Sequence, residues 1–362
     1  MTESRRITVT AVAEAERAVW EAFLQHLPAD HHAFHWHWRE ILRRTFGHQP
    51  HYLLARTPDG TACGVLPLFH VKSMLFGAAL ISVPYLNGGG IHAETDAAFA
   101  ALEQAAAALG QELRVDYVEL RHRKPAPEFD GEPALEGKLV ERSHKVSMLL
   151  PLDADPEALF ASFRPKLRSQ IRRPSKSGIV ARVGADGDPY LNPLDAFFTV
   201  FSEHMRDLGT PVFPKRLFHL SHEAFGPACR IITVWLEQTP VAAGITVGHG
   251  TATEMLWAAS LRRYSAMAPN MLLYWEAMKT AIQDGYRIFD FGRSSYGSGP
   301  HRFKMQWGAS ELPLHWHYRL LEGDIPDINP ENPRFTTMVR CWQRLPLPLA
   351  NTLGPWITKS LP

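Results

Sequence analysis

Residues 286–318 read YRIFDFGRSSYGSGPHRFKMQWGASELPLHWHY, and they begin as an alternating strand. Phe289 and Phe291 would face one side of this strand and Asp290 the other. An acid among aromatic residues must be paired or desolvated, because an unpaired buried charge is strongly destabilising. We expect the strand to break at Gly292. In α/β folds, ligands commonly bind beyond the carboxyl ends of strands, so the polar turn that follows is a candidate site.

The segment after this strand combines small polar residues with a second alternation. The turn carries Arg293, Ser294 and Ser295. Residues 303–308 predict another strand, with Phe303, Met305 and Trp307 facing inward and Lys304 and Gln306 facing outward. An acid, an arginine, two serines and a lysine would then converge on one loop. The alternative is a β-hairpin with a salt bridge from Asp290 to Arg293 or Lys304, since structural ion pairs also place charges in this way.

The length and composition are those of a globular protein with about two domains. The chain has 362 residues, of which 45% are hydrophobic and 21% charged, and its formal net charge is +1. That charge provides no overall field to attract nucleic acid or membrane, so we expect no DNA partner and only local patches for any such contact. A domain of 1–150, a second of 151–322 and a proline-rich tail of 323–362 are predicted.

The cysteines and the lengths of the apolar runs favour a cytoplasmic protein. Three widely spaced cysteines form neither a disulfide framework nor a zinc motif. His31 and His35 share a helical face, but no carboxylate or cysteine completes a ligand set beside them, so we predict no metal site. No apolar run reaches the roughly 18 residues that a membrane span requires. The tail sequence LPLPLANTLGPWI is read as a packing strap, with contact at the inner face of the membrane as the alternative.

Two loops and one helix could contribute to a binding site. Residues 80–91 predict a strand that runs into Asn87, Gly88 and Gly89, where glycines permit a close approach of the backbone. Asn270 is expected to cap a helix over residues 271–284. That helix would connect two parallel strands and direct the positive end of its dipole towards the ends of the strands.

A basic segment opens the second domain. Seven cations between residues 164 and 182 are interrupted by no acid. Arg168 and Arg172 would lie on one stripe if Pro165 occupies the first turn of a helix. Such a stripe predicts an anion site for phosphate, nucleotide or RNA backbone, and a solvated basic face is the alternative.

The sequence resembles the FemAB-like branch of the GNAT acyltransferase superfamily. The resemblance rests on PVAAGITVGHGTATEMLWAASLRRYSAMAPNMLLYWEAMKTAIQDGYRIFDFGRSS, on GVLPL and SVPYLNGGG, and on FKMQWGA. It extends over about residues 30–320 and is most specific in the last third. Proteins of this branch associated with exosortase/PEP-CTERM and exopolysaccharide loci are the most similar. The resemblance implies an α/β (α+β) fold of two tandem GNAT-like modules, each a mixed twisted sheet flanked by helices, with a cleft between them.

The resemblance also implies an activity. Peptidoglycan-bridge members transfer an aminoacyl group from tRNA to an amine on a lipid- or nucleotide-linked peptide, and other GNAT proteins use acyl-CoA. We therefore expect acylation of an amine on a cell-envelope peptide or glycan precursor, with aminoacyl-tRNA or acyl-CoA as the donor and no tightly bound cofactor. The chain departs from the pattern in two places. RRYSAMAPN lacks the CoA pyrophosphate signature, and residues 185–229 are too short for the coiled-coil arm of some members.

Loop position and resemblance together suggest a role for each candidate residue. Asp290 would act as the base or orient the amine, Lys304 or a backbone N–H would stabilise the oxyanion, and Tyr264 would protonate the leaving group. A packed loop aromatic is the alternative for Tyr264. The residues expected to bind substrate are Arg168, Arg172, Arg293, Ser294, Ser295, Asn270, Asn87, Gly88, Gly89, Tyr85 and Trp307.

Two other functions remain open from the sequence. One is an acyl-CoA-dependent N-acyltransferase, which bound CoA should stabilise. The other is a non-catalytic binding subunit of an exopolysaccharide assembly system, in which Asp290 and Lys304 would be dispensable. The sequence leaves the donor, the acceptor and the oligomeric state undetermined.

Overall fold

Two sheets, each in its own unit, organise the residues that the computed structural model describes, which are 7–26, 30–73, 76–127, 138–184, 192–322, 325 and 335–361. The first unit lies within Met1–Val146, Leu312–Pro326 and Ser360–Pro362, and the second within Ser147–Glu311 and Asp327–Lys359. Each contains a mixed sheet with helices packed against it. The predicted α/β fold of two such modules is confirmed.

The first unit contains a sheet whose described strands run in the order β1-β2-β3-β4-β6-β15-β7, with β5 beside β3. Its strands and helices are β1 (Thr8–Ala11), α1 (Arg17–His26), α2 (His37–Phe46), β2 (Gln49–Arg56), β3 (Ala62–Ser73), β4 (Gly77–Ile81), β5 (His92–Ala93), α3 (Asp96–Glu112), β6 (Tyr117–His122), β7 (Lys138–Arg142) and β15 (His315–Leu320). The apolar residues of β2, β3 and β6 pack on α3 and form the core of this unit.

The second unit contains a sheet of order β14-β8-β13-β12-β11-β10-β9. Its elements are β8 (Lys145–Pro151), α4 (Pro156–Ser162), α5 (Pro165–Lys176), β9 (Ile179–Val183), α6 (Pro193–Leu208), α7 (Lys215–Phe225), β10 (Cys229–Leu236), β11 (Thr239–His249), β12 (Ala252–Ser260), α8 (Pro269–Gln283), β13 (Ile288–Ser295), α9 (Gly299–Met305), β14 (Ser310–Pro313), α10 (Thr336–Gln343) and α11 (Leu347–Thr358). Helices α6 and α8 pack on the middle strands of this sheet.

The division between the units differs from the one drawn on the sequence. Strand β15 falls within the predicted second domain of 151–322, yet it pairs with β6 and β7 in the first sheet. Trp316 and Tyr318 on this strand are buried beside Tyr117 on β6. The chain therefore returns to its first unit after completing the second, and a boundary placed by linear reading misses such a return.

The predicted proline-rich tail also differs from expectation. Part of 323–362 lies outside the described residues, but α10 and α11 account for most of the rest. Both helices pack against α6. Pro346 and Pro348 stand at the start of α11, where the missing N–H costs nothing, and Pro355 lies inside the helix. Among the described residues, no helix has both the length and the apolar composition that crossing a bilayer would require.

Candidate active site

The candidate site forms where two parallel strands separate. Strands β12 and β13, joined by α8, pair in parallel at Ala252 with Ile288, Thr253 with Phe289 and Glu254 with Asp290. Both strands continue beyond these pairs, to Ser260 and Ser295, without further pairing to each other in the described chain. The result is a fork whose last paired residues are both acidic. Beyond the last pair, the described residues of β12 and β13 are not paired with each other, and strand edges that separate in this way can bond to a ligand.

A bulge in β12 begins at the same level as the fork. Opposite β11, Ile245 pairs with Trp257 and Thr246 with Met255, which leaves Leu256 as an extra residue. Bulges bend a strand and increase its twist. The bulge therefore gives a physical reason for the separation of β12 from β13 immediately after Glu254.

Two carboxylates lie side by side at the base of the fork. Glu254 and Asp290 are direct partners on neighbouring strands, so their side chains project from the same face of the sheet. Both are almost completely buried. Like charges in this arrangement repel each other unless a cation is close. Sequence reasoning identified Asp290 but missed Glu254, although an acid inside the apolar strand ATEMLWAAS was a usable signal.

Two hydrogen bonds hold the carboxylate of Asp290. The Ser147 hydroxyl on β8 donates to Oδ1 over 2.7 Å, and the Gly292 backbone N–H donates to the same oxygen over 2.8 Å. Gly292 has φ of 72°, which turns its N–H towards the side chain two residues earlier. The sequence predicted that the strand would break at this glycine. In the structure it continues to Ser295. Ser147 was also missed, and its signal was a hydroxyl within the apolar run of β8.

Lys304 provides the cation. It is only 6% exposed, and its Nζ donates to the carbonyl oxygens of Gly292 and Arg293, both over 2.8 Å. Burial lowers the pKa of Lys304 from 10.5 to about 8, while attraction to Asp290 and Glu254 opposes the shift and repulsion from Arg293 adds to it. Two of the three N–H donors are used by the carbonyls. The third could serve a ligand.

The placement of Lys304 corrects the sequence-based expectation. Residues 303–308 do not form a strand with Lys304 outward, because α9 covers Gly299–Met305 and buries Lys304 while it exposes Met305. Ser298 caps this helix by accepting a hydrogen bond from the His301 N–H, and Pro300 occupies its first turn. These start signals specify a helix in spite of the short alternation of apolar residues. In a helix, side chains three or four residues apart share a face, so Phe303, Met305 and Trp307 do not all face one side.

The other predicted residues around the turn have different surroundings. Arg293 is exposed and Ser295 half-buried at the end of β13. Ser294 is buried, and its hydroxyl has no hydrogen-bond partner in the described chain, so a ligand would satisfy it. Trp307 is a core residue: its ring contacts Phe163 and Phe291 and lies 2% exposed. The geometry gives Trp307 a packing role.

The predicted anion residues lie on α5. Pro165 starts this helix as expected, with Arg168 half-buried and Arg172 exposed. The Arg172 guanidinium lies 4.9 Å above the ring of Phe160. It borders a half-open cavity of about 350 Å³ between α4, α5 and α8 whose wall also contains Trp275 and Lys279. The wall also contains the carboxylates of Glu157 and Glu276, and Lys279 is paired with Glu276, so the aromatic wall suits a flat group and the charges of the lining balance.

The turn between β12 and α8 contains Tyr264 and Asn270. Tyr264 is half-buried in a 3-10 turn, with the Arg263 guanidinium 5.1 Å from its ring. Asn270 is not the cap of α8, because the helix begins at Pro269 and Ala268, with φ of 55°, occupies the cap position. Pro269 has no N–H, and the N–H of Met271 is bonded to the Ala268 carbonyl. This helix start therefore offers few donors to a pyrophosphate.

Four predicted residues belong to a strained loop in the first unit. Val83 and Tyr85 both have positive φ, which is rare for such side chains. The Tyr85 hydroxyl lies 2.7 Å from Nε2 of His48. Asn87 is buried, and Gly89 has φ of 136°. A Cβ on Gly88 would lie 2.9 Å from Nδ1 of His31, so the packing of this unit itself explains that glycine.

Comparison with known proteins finds a family model that matches the part of the chain that contains these features. Residues 161–305 match the model of the acetyltransferase (GNAT) domain, a range that includes the fork and Lys304. No curated protein matches the chain.

Among solved structures, FemX is similar, with 14% identity and a TM-score of 0.62, over 87% of this chain and 98% of that one. A tandem GNAT protein from the clavulanic acid biosynthesis pathway has 12% identity and a TM-score of 0.53, over 89% and 100%. L-PGS from Bacillus licheniformis has 11% identity and a TM-score of 0.50, over 85% and 96%. At these identities, the similarity establishes the shared fold.

Proposed function

We propose that this chain, which has the fold of tandem GNAT proteins and matches the GNAT domain over residues 161–305, transfers an acyl or aminoacyl group to an amine. The observation that carries this proposal is the buried group of Glu254, Asp290 and Lys304 at the strand fork. Burying three charges is costly, and functional sites are where such costs concentrate. The group lies within the part of the chain that carries the GNAT domain.

The reaction requires removal of a proton from the acceptor amine. As the amine nitrogen forms a bond to the donor carbonyl carbon, the bond from that carbon to the leaving oxygen or sulfur breaks. Asp290, held by Ser147 and Gly292, is placed to orient the amine and accept its proton. Tyr264 is our candidate to protonate the leaving group, because its turn follows the diverging end of β12.

Lys304 would stabilise the oxyanion of the tetrahedral intermediate. Its ammonium must be protonated for this task, and a pKa of about 8 keeps most of it protonated at neutral pH. We therefore expect the transfer rate constant to fall as pH rises through about 8. A rate that instead rises through this pH would assign Lys304 as a base and contradict the oxyanion role.

Two donors are consistent with the fork, and they differ in their requirements. The strand edges that separate at the fork could bond the amides of an extended acyl-CoA arm, whereas the start of α8 provides few N–H groups for its pyrophosphate. The exposed cations of α5 could bind the backbone of an aminoacyl-tRNA. Because the start of α8 provides few N–H groups for a pyrophosphate, we favour the aminoacyl-tRNA donor. Stabilisation of the purified protein by acyl-CoA but not by aminoacyl-tRNA would reverse this preference.

We propose an amine on a cell-envelope peptide or glycan precursor as the acceptor, in the cytoplasm and in connection with exopolysaccharide or envelope biogenesis. This part of the proposal is supported by the sequence resemblance. Mass spectrometry of envelope precursors from cells with and without the protein tests it. A precursor should gain the mass of one acyl or amino-acid residue only when the protein is present.

Two variants make this experiment specific. Asp290→Asn should abolish the mass gain, and the matched control Glu223→Gln, which alters an exposed carboxylate on α7, should retain it. The alternative is that Asp290→Asn and Lys304→Met each restore polymer production to cells that lack the protein, while no precursor gains mass. The protein would then act as a binding subunit, and the transferase proposal would fail.

A further inference from the structure

Helix α11 buries its small residues and leaves its large ones exposed. Ala350, Gly354 and Thr358 form the inner face, four residues apart. A Cβ on Gly354 would lie 2.8 Å from the backbone nitrogen of Val212, which shows how closely the helix packs against the chain after α6. This contact fixes which side of α11 faces outward.

The outer face of α11 is apolar. We define the α11 face as Leu349, Leu353, Trp356 and Ile357, which are all exposed. Trp356 is 77% exposed. Their spacing places them on one side of a helix. An ordinary surface helix turns its large apolar residues towards the core, and a contiguous exposed apolar patch marks a site of interaction.

The charged residues in the segment that contains the α11 face are all cations, although α10 also lies beside Asp207 of α6, whose carbonyl accepts a hydrogen bond from Gln343. Residues 335–361 contain no aspartate or glutamate. Arg340 and Arg344 flank the N-terminal end of α11, Lys359 follows its C-terminal end, and all three are exposed. A cationic border beside an apolar helical face, with tryptophan on that face, is the chemistry that recognises an anionic bilayer surface.

We infer that the α11 face docks on the surface of an anionic lipid bilayer. The helix would lie in the plane of the interface, with Leu353 and Trp356 among the acyl chains and the arginines at the headgroups. A protein partner fits less well, because specific stable interfaces involve about 20 to 30 residues a side and this face has four large side chains. The inference is independent of the transferase proposal, since it concerns binding alone.

Co-sedimentation of the full chain with vesicles tests this inference. The protein should bind vesicles of equal parts phosphatidylcholine and phosphatidylglycerol, bind pure phosphatidylcholine more weakly, and lose binding as salt increases. The double variant Leu353→Gln/Trp356→Gln should reduce the affinity about tenfold or more. Arg340→Gln/Arg344→Gln should weaken binding only to the anionic vesicles.

The controls distinguish vesicle binding by the α11 face from non-specific adsorption by exposed apolar residues. Val180→Thr alters an exposed apolar residue on β9 and should bind as the unaltered protein does. All variants change exposed side chains and should keep the melting temperature. Equal binding to both vesicle types, or equal binding by Leu353→Gln/Trp356→Gln, would overturn the inference. So would lipid-free dimers that the same double variant dissociates, because the face would then belong to a second copy.

Discussion

At the scale of single residues, the buried ammonium of Lys304 is the most informative feature. Its neighbours are two buried carboxylates and two backbone carbonyls, all of which favour the charged form. Its pKa nevertheless falls to about 8, so desolvation outweighs these attractions. Keeping Lys304 protonated therefore lowers the free energy of unfolding of the protein, and this loss of stability should be measurable.

Replacement of Lys304 by methionine should remove a pH dependence of stability. Between about pH 8 and pH 10.5, the unfolded chain retains the proton that folded Lys304 has released, so the native state gains stability as pH rises. The free energy of unfolding of the unaltered protein should rise by about 3 kcal/mol relative to Lys304→Met across this window. Urea denaturation at a series of pH values measures the difference.

A matched variant controls for other titrating groups. Lys279→Met alters a half-buried lysine on α8 that is paired with Glu276. Its stability curve should run parallel to that of the unaltered protein across the same window. A parallel curve for Lys304→Met would instead show that Lys304 is solvated in the folded state.

Ser147 offers a second test at this scale. Ser147→Ala removes one of the two donors to Oδ1 of Asp290, so the carboxylate should be less well oriented. We expect kcat to fall about tenfold with little change in KM, and the free energy of unfolding to fall by about 1 kcal/mol. Ser147→Thr, which keeps the hydroxyl, should restore much of kcat. A purely structural role would lower stability without this recovery.

At this scale, the sequence predicted which charged residues belong to the site better than it predicted where their side chains lie. Asp290 was identified because an acid between Phe289 and Phe291 must be accommodated. Lys304 was identified as a cation of the same segment, but its burial was missed because three alternating aromatic and apolar residues imitate a strand. Glu254 and Ser147 were missed because their importance depends on which strands become neighbours, and pairing across long loops is not encoded locally.

At the scale of elements, the connection β12–α8–β13 confirms what could be read from the sequence. Parallel pairing joined by a helix was predicted from the order of strand, helix and strand. The fork was not predicted, because it depends on the bulge at Leu256, which is visible only in the register against β11. The helix α9 was missed although Ser298 and Pro300 are start signals, since a helix of seven residues has little periodicity to display.

Gly354 should control the docking of α11. Gly354→Ala adds a Cβ within 3.0 Å of the backbone nitrogen and oxygen of Val212, and backbone cannot easily move. Alanine favours a helix over glycine by about 1 kcal/mol, but overpacking costs about 1–3 kcal/mol, so we expect a net loss of packing. Amide hydrogen exchange in α11 should accelerate, while Thr352→Ala on the exposed side should leave it unchanged. Slower exchange in Gly354→Ala would contradict the tight contact.

At the scale of the whole molecule, the two units repeat one arrangement. In the first unit, β4 and β6 pair in parallel over three residues, ending at Ile81 with Glu119, just as β12 and β13 end at Glu254 with Asp290. The cations differ. Glu119 accepts a hydrogen bond from Nε of Arg121 over 2.7 Å, and Arg121 also donates to the Leu86 carbonyl over 2.9 Å. The acid of the first unit therefore has a direct, buried partner.

This difference predicts opposite effects of two similar substitutions. Glu119→Gln leaves the Arg121 guanidinium buried without its counter-charge, and breaking such a pair costs about 3–5 kcal/mol. It should lower the free energy of unfolding and spare the rate constant of the protein that remains folded. Asp290→Asn keeps the shape of a side chain whose proposed role is chemical, so it should lower kcat by about 10²-fold or more with a smaller loss of stability. Denaturation and single-turnover assays on both variants measure the two quantities. If Glu119→Gln abolished transfer in fully folded protein, the first unit would hold the chemistry, and the assignment of the reaction to the fork between β12 and β13 would be wrong.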